Sequence, residues 1–330
     1  MRYFFLLLAV LFASFAVETL AQKLITKDGL LYQEASEEPY SGERMIHYTN
    51  GQLKWKTNYK DGKLEGLSEL YYENGNLEQK LHFKDGKTDG LYEKYHENGN
   101  LKEKANYKDG NTEGLFEAFH ENGKLKQKSN YKEGKKEGLT EAFHENGKLK
   151  QKSDYKDGKR EGLFEAFHES GKLKYQSNYK NGKKDGLVEA YHENGKLKQK
   201  TNYKDGKREG LFEAFHESGK LKYQSNYKNG KKDGLVEAYH ENGKLKQKTN
   251  YKDGKKEGVD ETYDDKGNLK SRLKRKDGQV HGVLELYYEN GQLWSKFNYK
   301  DGKKEGLSEV FDNSGKLKSQ RTYKNGELED

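Results

Sequence analysis

The stretch Gly114-Leu115-Phe116-Glu117-Ala118-Phe119-His120-Glu121-Asn122-Gly123-Lys124-Leu125-Lys126-Gln127-Lys128-Ser129-Asn130-Tyr131-Lys132-Glu133-Gly134-Lys135-Lys136-Glu137 holds two alternating runs, each followed by a glycine. Leu115, Glu117 and Phe119 alternate with Phe116, Ala118 and His120, and Leu125, Gln127, Ser129 and Tyr131 alternate with Lys124, Lys126, Lys128 and Asn130. Period two means strand. Residues directly opposite on an antiparallel pair share a face, so the loop length follows from parity. A two-residue Asn122-Gly123 loop would set His120 against Leu125 and mix apolar with basic. A three-residue loop of Glu121, Asn122 and Gly123 instead pairs Phe119 with Leu125 and Leu115 with Ser129. It also places Gly123 where a type I turn ends in a left-handed residue. The second turn, Lys132-Glu133-Gly134-Lys135-Lys136, returns the chain to Gly138, and Asp-Gly or Asn-Gly fills that place in most other units.

The same unit recurs every 24 residues without insertion or deletion. Gly42, Gly51 and Gly62 each begin a series at that step, ending at Gly306, Gly315 and Gly326, and thirty-six of the 37 glycines belong to these series. Leu53 to Leu317 fill one site in all twelve units. A fixed period in this range marks a solenoid or extended array whose units pack mainly on their neighbours. The expected fold is all-β: an elongated, single-layer antiparallel sheet of tandem β-hairpin repeats of 24 residues. Twenty-four strands at about 4.8 Å each give a contour on the order of 115 Å before twisting. The single proline, Pro39, precedes the array. Residues 22–41 read as an N-terminal half-repeat or cap and 42–330 as the array. The tenth unit departs furthest from the pattern, with Arg275 at an aromatic position and His281 at an acidic one. Residues 155–207 are identical to 203–255, a sign of recent duplication and an argument against an enzyme with one unique pocket.

With 31% hydrophobic and 36% charged residues, composition alone points toward disorder, but the strict register of the apolar positions overrides it. Residues 1–21 read as a cleaved signal peptide: Arg2, an apolar run from Phe4 to Val17, then Thr19-Leu20-Ala21. The chain has no cysteine, which excludes a lipid anchor on an N-terminal Cys, disulfides and thiolate metal sites. The expected localisation is therefore exported, whether periplasmic, cell-surface or extracellular. The net charge of +8 is spread through the units as lysine opposite acid, a solvated surface with weak attraction to anionic membranes or acidic polysaccharide. Export disfavours nucleic acid.

Three ladders are candidates for chemistry. Glutamates from Glu69 to Glu309 fall between Leu and an aromatic on the expected apolar face; successive rungs are about 9.5 Å apart, so each is read as accepting hydrogen bonds from neighbouring Tyr or Lys. Seven histidines from His96 to His240 lie on the lysine face, too far apart for two to share a zinc ion, and as a minor reading would tune adhesion in mild acid. The third ladder is aromatic: Tyr71, Tyr95, Phe119, Phe143, Phe167, Tyr191, Phe215, Tyr239, Tyr263, Tyr287 and Phe311. It is expected to share a face with the row from Tyr59 to Tyr323 and to form the binding surface. No phosphate loop, nucleophile motif or metal cluster is present, so no cofactor is expected.

Tyr71-Tyr72-Glu73-Asn74-Gly75-Asn76-Leu77 followed by Phe83-Lys84-Asp85-Gly86-Lys87-Thr88-Asp89-Gly90 resembles the bacterial MORN-repeat variant, often labelled YwqK-like antitoxin, over about residues 40–330. The resemblance implies β-hairpin arrays serving as binding or scaffolding surfaces, and its label an antitoxin. The sequence thus reads as an exported, non-enzymatic surface for contact with protein or cell-envelope polysaccharide. A glycan-binding module and an antitoxin or immunity protein are the alternatives.

Overall fold

The computed structural model describes residues 23–329; the expected signal peptide lies outside them. From Gly42 to Glu329 the chain forms one long antiparallel sheet in which each strand pairs with its neighbours in sequence, and no helix is present among the described residues. The first array strand, Gly42–His47, pairs only with Leu53–Lys60, and the last, Glu327–Glu329, only with Leu317–Lys324, so the sheet is open. Substantial packing occurs only between sequential strands, so among the described residues the array is a single layer without a second sheet over either face.

The first turn forms as the parity argument requires. His120 N donates to Lys124 O at 2.9 Å and Gly123 N to His120 O at 2.9 Å, with Gly123 at φ 78°: a type I turn closed by a left-handed glycine. The second turn is tighter than expected. Lys132 pairs directly with Lys135, and Glu133 and Gly134 both have positive φ, 50° and 74°, which makes a two-residue type I′ hairpin. The following strand therefore starts at Lys135 and runs to Phe143. Gly138, at φ 71°, does not begin the strand; it sits in a bulge that interrupts pairing between Ser129 and Tyr131 on the partner strand.

A further bulge, at Lys126, changes the assignment of faces. Phe119 opposes Leu125 as expected, but Ala118 opposes Gln127, so Lys126 is the extra residue. From there inward Phe116 opposes Ser129 and Leu115 opposes Asn130, not Ser129. One inserted residue exchanges the faces of everything beyond it. Leu115, expected to share a face with Ser129, lies on the opposite one and is 38% exposed, and Leu139, Leu163, Leu187 and Leu211 follow it along that open face.

The true core is a spine of directly opposed residues crossing the middle of the array: Ser129, Thr140, Ser153, Phe164, Ser177, Val188, Thr201, Phe212, Ser225, Val236 and Thr249. Each large residue lies between two small ones, which lets a single-layer sheet reach near-complete burial along one line; Ser129 is 0% and Val188 3% exposed. Taller neighbours cover this line, as where Gln127 Nε2 donates to Ser129 Oγ at 2.9 Å.

Ahead of the array, Leu24–Lys27 and Leu30–Gln33 form a separate hairpin. It docks on the first type I′ turn: Leu31 N donates to Gly62 O at 3.0 Å, and Gly62 N to Tyr40 O at 2.8 Å. A Cβ on Gly62 would lie 2.8 Å from Leu30 Cβ and 3.0 Å from Leu31 N. Gly62→Ala is therefore expected to release the hairpin and cost more than about 1 kcal/mol. The check is hydrogen exchange at Leu31, whose amide should lose protection while the array keeps its own.

Candidate binding surface

The candidate aromatic ladder and the glutamate ladder share the open face, because both lie two residues apart on one strand. Tyr71 OH donates to Glu69 Oε2 at 3.1 Å, and the same contact recurs at Tyr95–Glu93, Tyr191–Glu189, Tyr239–Glu237, Tyr263–Glu261 and Tyr287–Glu285. The tyrosines lose acidity through burial and, after it, through this contact. Burial first, then the hydrogen bond and charge of Glu189, push Tyr191 up to about 12, and Tyr239 beside Glu237 behaves alike. Beside Phe167 and Phe215 the carboxylate meets lysine: Lys152–Glu165 at 2.6 Å and Lys200–Glu213 at 2.8 Å. These lysines are about two-fifths exposed, so Glu165→Gln is expected to cost less than about 1 kcal/mol in thermal denaturation.

The expected union of this ladder with the row from Tyr59 to Tyr323 does not occur. The Lys126-type bulge sends Phe119 to the open face, while Tyr131 lies on the spine face against Phe116, ring centroids 6.0 Å apart. Phe164 similarly meets Tyr175 and Tyr179, at 5.8 and 6.2 Å.

The two rims of the sheet are tied from unit to unit by side chains. On one rim, His120 Nε2 lies 3.1 Å from Phe143 O, and every histidine from His96 to His240 repeats this reach to the carbonyl one unit on. Tyr48, Tyr72 and Tyr288 use their hydroxyls for the same purpose. His or Tyr thus supplies this tie in every unit from Tyr48 to His240 and again at Tyr288, while Asp264 fills the position in the tenth unit, so the histidine ladder is a structural staple. His120→Tyr is expected to leave the melting profile unchanged, whereas His120→Phe should cost about 1 kcal/mol. Asn122 adds a second tie, accepting from Lys124 N at 3.0 Å and donating to Glu145 O at 3.2 Å. On the opposite rim, the acid preceding each bulge glycine caps the next type I′ turn: Glu133 N donates to Glu113 Oε2 at 2.8 Å and Asp157 N to Glu137 Oε2 at 2.9 Å. His281 occupies that place in the tenth unit, with Nδ1 3.5 Å from Asp301 N.

Sequence reasoning missed the row of cations on the spine face. Tyr131, Tyr155, Tyr179, Tyr203 and Tyr227 oppose Lys136, Arg160, Lys184, Arg208 and Lys232. The bulge at the following glycine tips each cation over the tyrosine one unit on. Lys136 Nζ is 5.3 Å from the Tyr155 centroid, Arg160 Cζ 5.5 Å from Tyr179, Lys184 Nζ 5.2 Å from Tyr203, Arg208 Cζ 5.3 Å from Tyr227 and Lys232 Nζ 5.0 Å from Tyr251. Two settings alternate: Arg160 over Phe164 at 4.5 Å, then Lys184 over Tyr175 at 5.3 Å beside Val188, and the pair repeats with Arg208–Phe212 and Lys232–Tyr223. Burial draws the pKa of Lys184 and Lys232 down, but the oxygens of Tyr175 and Tyr223 outweigh it, and both lie above the ordinary lysine value. The signal was present in sequence as the recurring basic residue two before each bulge glycine, but the assumed five-residue turn hid it.

The tenth unit interrupts this row. Asp260 takes the spine position between Thr249 and Leu273, is 4% exposed, and binds Lys256 at 2.8 Å, Arg275 at 3.2 Å and Gln247 at 3.0 Å. Arg275, at an aromatic position in the sequence, is thus the partner of a second change in the same unit. Elsewhere the surface is open: a shallow trough of about 860 Å³ along the type I′ rim is lined by Asp185, Asn202, Tyr203, Lys228 and Asp233 among others. Among the described residues no three His, Asp or Glu converge to hold a metal ion.

A family model described as MORN repeat variant matches residues 64–85, 88–109, 112–133, 136–157, 160–181, 184–205, 208–229, 232–253, 280–301 and 304–325, two thirds of the chain. The gap in the series falls on the segment that contains Asp260 and Arg275. No curated protein matches. Among solved structures, the chain is similar to TcdB2-TccC3 at 12% identity and a TM-score of 0.18, covering 86% of this chain and 18% of that one. It is also similar to the Photorhabdus luminescens Tc holotoxin pore at 11% identity and a TM-score of 0.19, covering 85% and 17%. The chain spans less than a fifth of the length of either, and likenesses at these scores carry no argument.

Proposed function

Because this chain belongs to the MORN repeat variant family, whose repeats carry a binding or scaffold role, we propose that it is an exported, non-enzymatic array that holds its partner through many equivalent weak contacts. The partner class is protein or cell-envelope polysaccharide, and the spine face favours the polysaccharide. The observation that carries this reading is the recurrence of one cation and one tyrosine per unit in the same geometry from Lys136 to Tyr251. Equivalent sites in a row raise avidity without any one of them being strong. Export is supported by the apolar run and small residues of the first 21 positions.

The test is retention of the intact chain on envelope fractions beside a variant lacking residues 203–250, whose junction reproduces a native one because 155–207 equals 203–255. Retention that falls steeply with the loss of two units supports the reading. Capture of one protein at fixed stoichiometry, indifferent to the deletion, overturns it. N-terminal sequencing of the secreted protein should begin at Gln22, and intracellular protein retaining Met1 overturns export.

A further inference from the structure

We propose that the row from Lys136 to Lys232 is a binding strip for a linear carboxylated polysaccharide lying lengthwise along the sheet. The assignment rests on the envelope reading above and names its ligand class. Three observations carry it.

First, the strip is of one sign. From Ser129 to Val236 the registers place Ser, Thr, Phe, Val, Ala, Gln, Tyr, Lys and Arg on the spine face and no carboxylate. None of Lys136, Arg160, Lys184, Arg208 and Lys232 has an ion-pair partner among the described residues, whereas lysines of the opposite face do. The acids next to them in sequence, such as Glu137 and Glu161, are held at the rim by turn amides. Half-buried cations stacked on tyrosine and lacking a counter-charge are arranged for an external anion.

Second, the protein shows once what a carboxylate does there. Asp260 places one on this face, and Lys256, which continues the row, closes on it together with Arg275, which stands where other units carry the tyrosine. A cation of the row therefore turns to a carboxylate placed beside it on this face.

Third, the spacing and shape suit a sugar chain. Equivalent cations lie two strands apart, about 9.6 Å, close to the length of two pyranose units in an extended chain, so alternate uronic acids of a two-fold chain face the strip. Tyrosine rings between the cations offer flat apolar surface to the sugars with a hydroxyl at the edge. The exposed leucines that would suit a bilayer lie on the other face, away from the row.

The experiment is calorimetric titration of the intact chain with polygalacturonate fragments, beside neutral dextran and phosphatidylglycerol vesicles. Wild type is expected to bind polygalacturonate alone. The five-fold variant Lys136→Gln, Arg160→Gln, Lys184→Gln, Arg208→Gln, Lys232→Gln should lose at least about tenfold in affinity and show a flatter salt dependence. A charge-matched variant replacing the exposed bulge residues Lys126, Lys150, Lys174, Lys198 and Lys222 by Gln should bind as wild type. If the five-fold variant does not fold, Val188→Asp with Val236→Asp sets a carboxylate four residues after Lys184 and Lys232, as Asp260 lies after Lys256, keeps every cation and should also abolish binding. Equal loss in both lysine sets, binding by the Asp variant, or preference for the vesicles overturns the strip. Envelope retention that survives the strip variants removes the strip but leaves the broader reading standing; failure of wild type on both envelope and polygalacturonate removes the reading itself.

Discussion

Replacing Asp260 by Asn is expected to destabilise the strands around the tenth unit by about 3 kcal/mol, the cost of leaving a buried charge cluster without its anion. Asp260 is nearly inaccessible and holds Lys256, Arg275 and Gln247 at once, so its loss strands two cations that have no other acid bound to them among the described residues. The pH dependence has a definite sign. Burial pushes the Asp260 carboxyl upward, but the hydrogen bonds from Lys256 and Gln247, with Arg275, hold it below the usual Asp value of 3.8. Its stabilisation is therefore complete above the ordinary carboxylate range and is lost as pH falls through a folded value lower than that. Hydrogen exchange in the strands Leu245–Lys252 and Leu269–Lys276 measures both effects. An Asp260→Asn chain with wild-type protection, or one more stable than wild type near neutrality, refutes the account.

Phe212→Ala is expected to be of similar size, about 3 kcal/mol. Phe212 fills the spine between Thr201 and Ser225, is 8% exposed, carries Arg208 on its ring and meets Tyr223 and Tyr227 edge-on. Among the described residues there is no second layer to collapse into the gap. In a one-dimensional array the damage stays local, so amides of Leu197–Lys228 should exchange on the order of 100-fold faster while distant units are unaffected. Phe164→Ala provides the control, because its paired strands are the same sequence two units earlier except for Ser153 and Asp154, which stand where the Phe212 site has Thr201 and Asn202. The two variants should agree within about 0.5 kcal/mol; a large disagreement would mean that neighbouring units do not set the local energy.

Strand positions, the three-residue loop at Glu121-Asn122-Gly123 and the family resemblance were legible because each leaves a residue-type signature at a fixed place. The faces were not. Parity counts correctly only in the absence of bulges, and the Lys126 position carries no special residue that betrays one: it is Lys in most units, like its exposed neighbours. The spine was hidden for a different reason. Its members are Ser, Thr, Ala or Asp more often than Phe or Val, since burial there comes from matching large to small across strands and not from hydrophobicity. The histidines misled because their role depends on a carbonyl 23 residues away. Of the candidate site, the aromatic ladder could be traced from its period alone and forms a half-buried row on the open face. The row of cations on the other face needed the true register before it could be seen.

The alternation of Arg160–Phe164 with Lys184–Val188, renewed at Arg208–Phe212 and Lys232–Val236, bears on how such a gene can change length. A crossover that inserts or removes one unit would set two like settings side by side where this stretch has unlike neighbours, whereas a step of two restores every neighbour on both sides of the join. The inherited module is thus a 48-residue doublet, and the 53 identical residues from 155 and from 203 are the trace of one such step. Reach along a partner can in this way be lengthened or shortened in a single genetic event, with no intermediate that has to survive a mismatched seam.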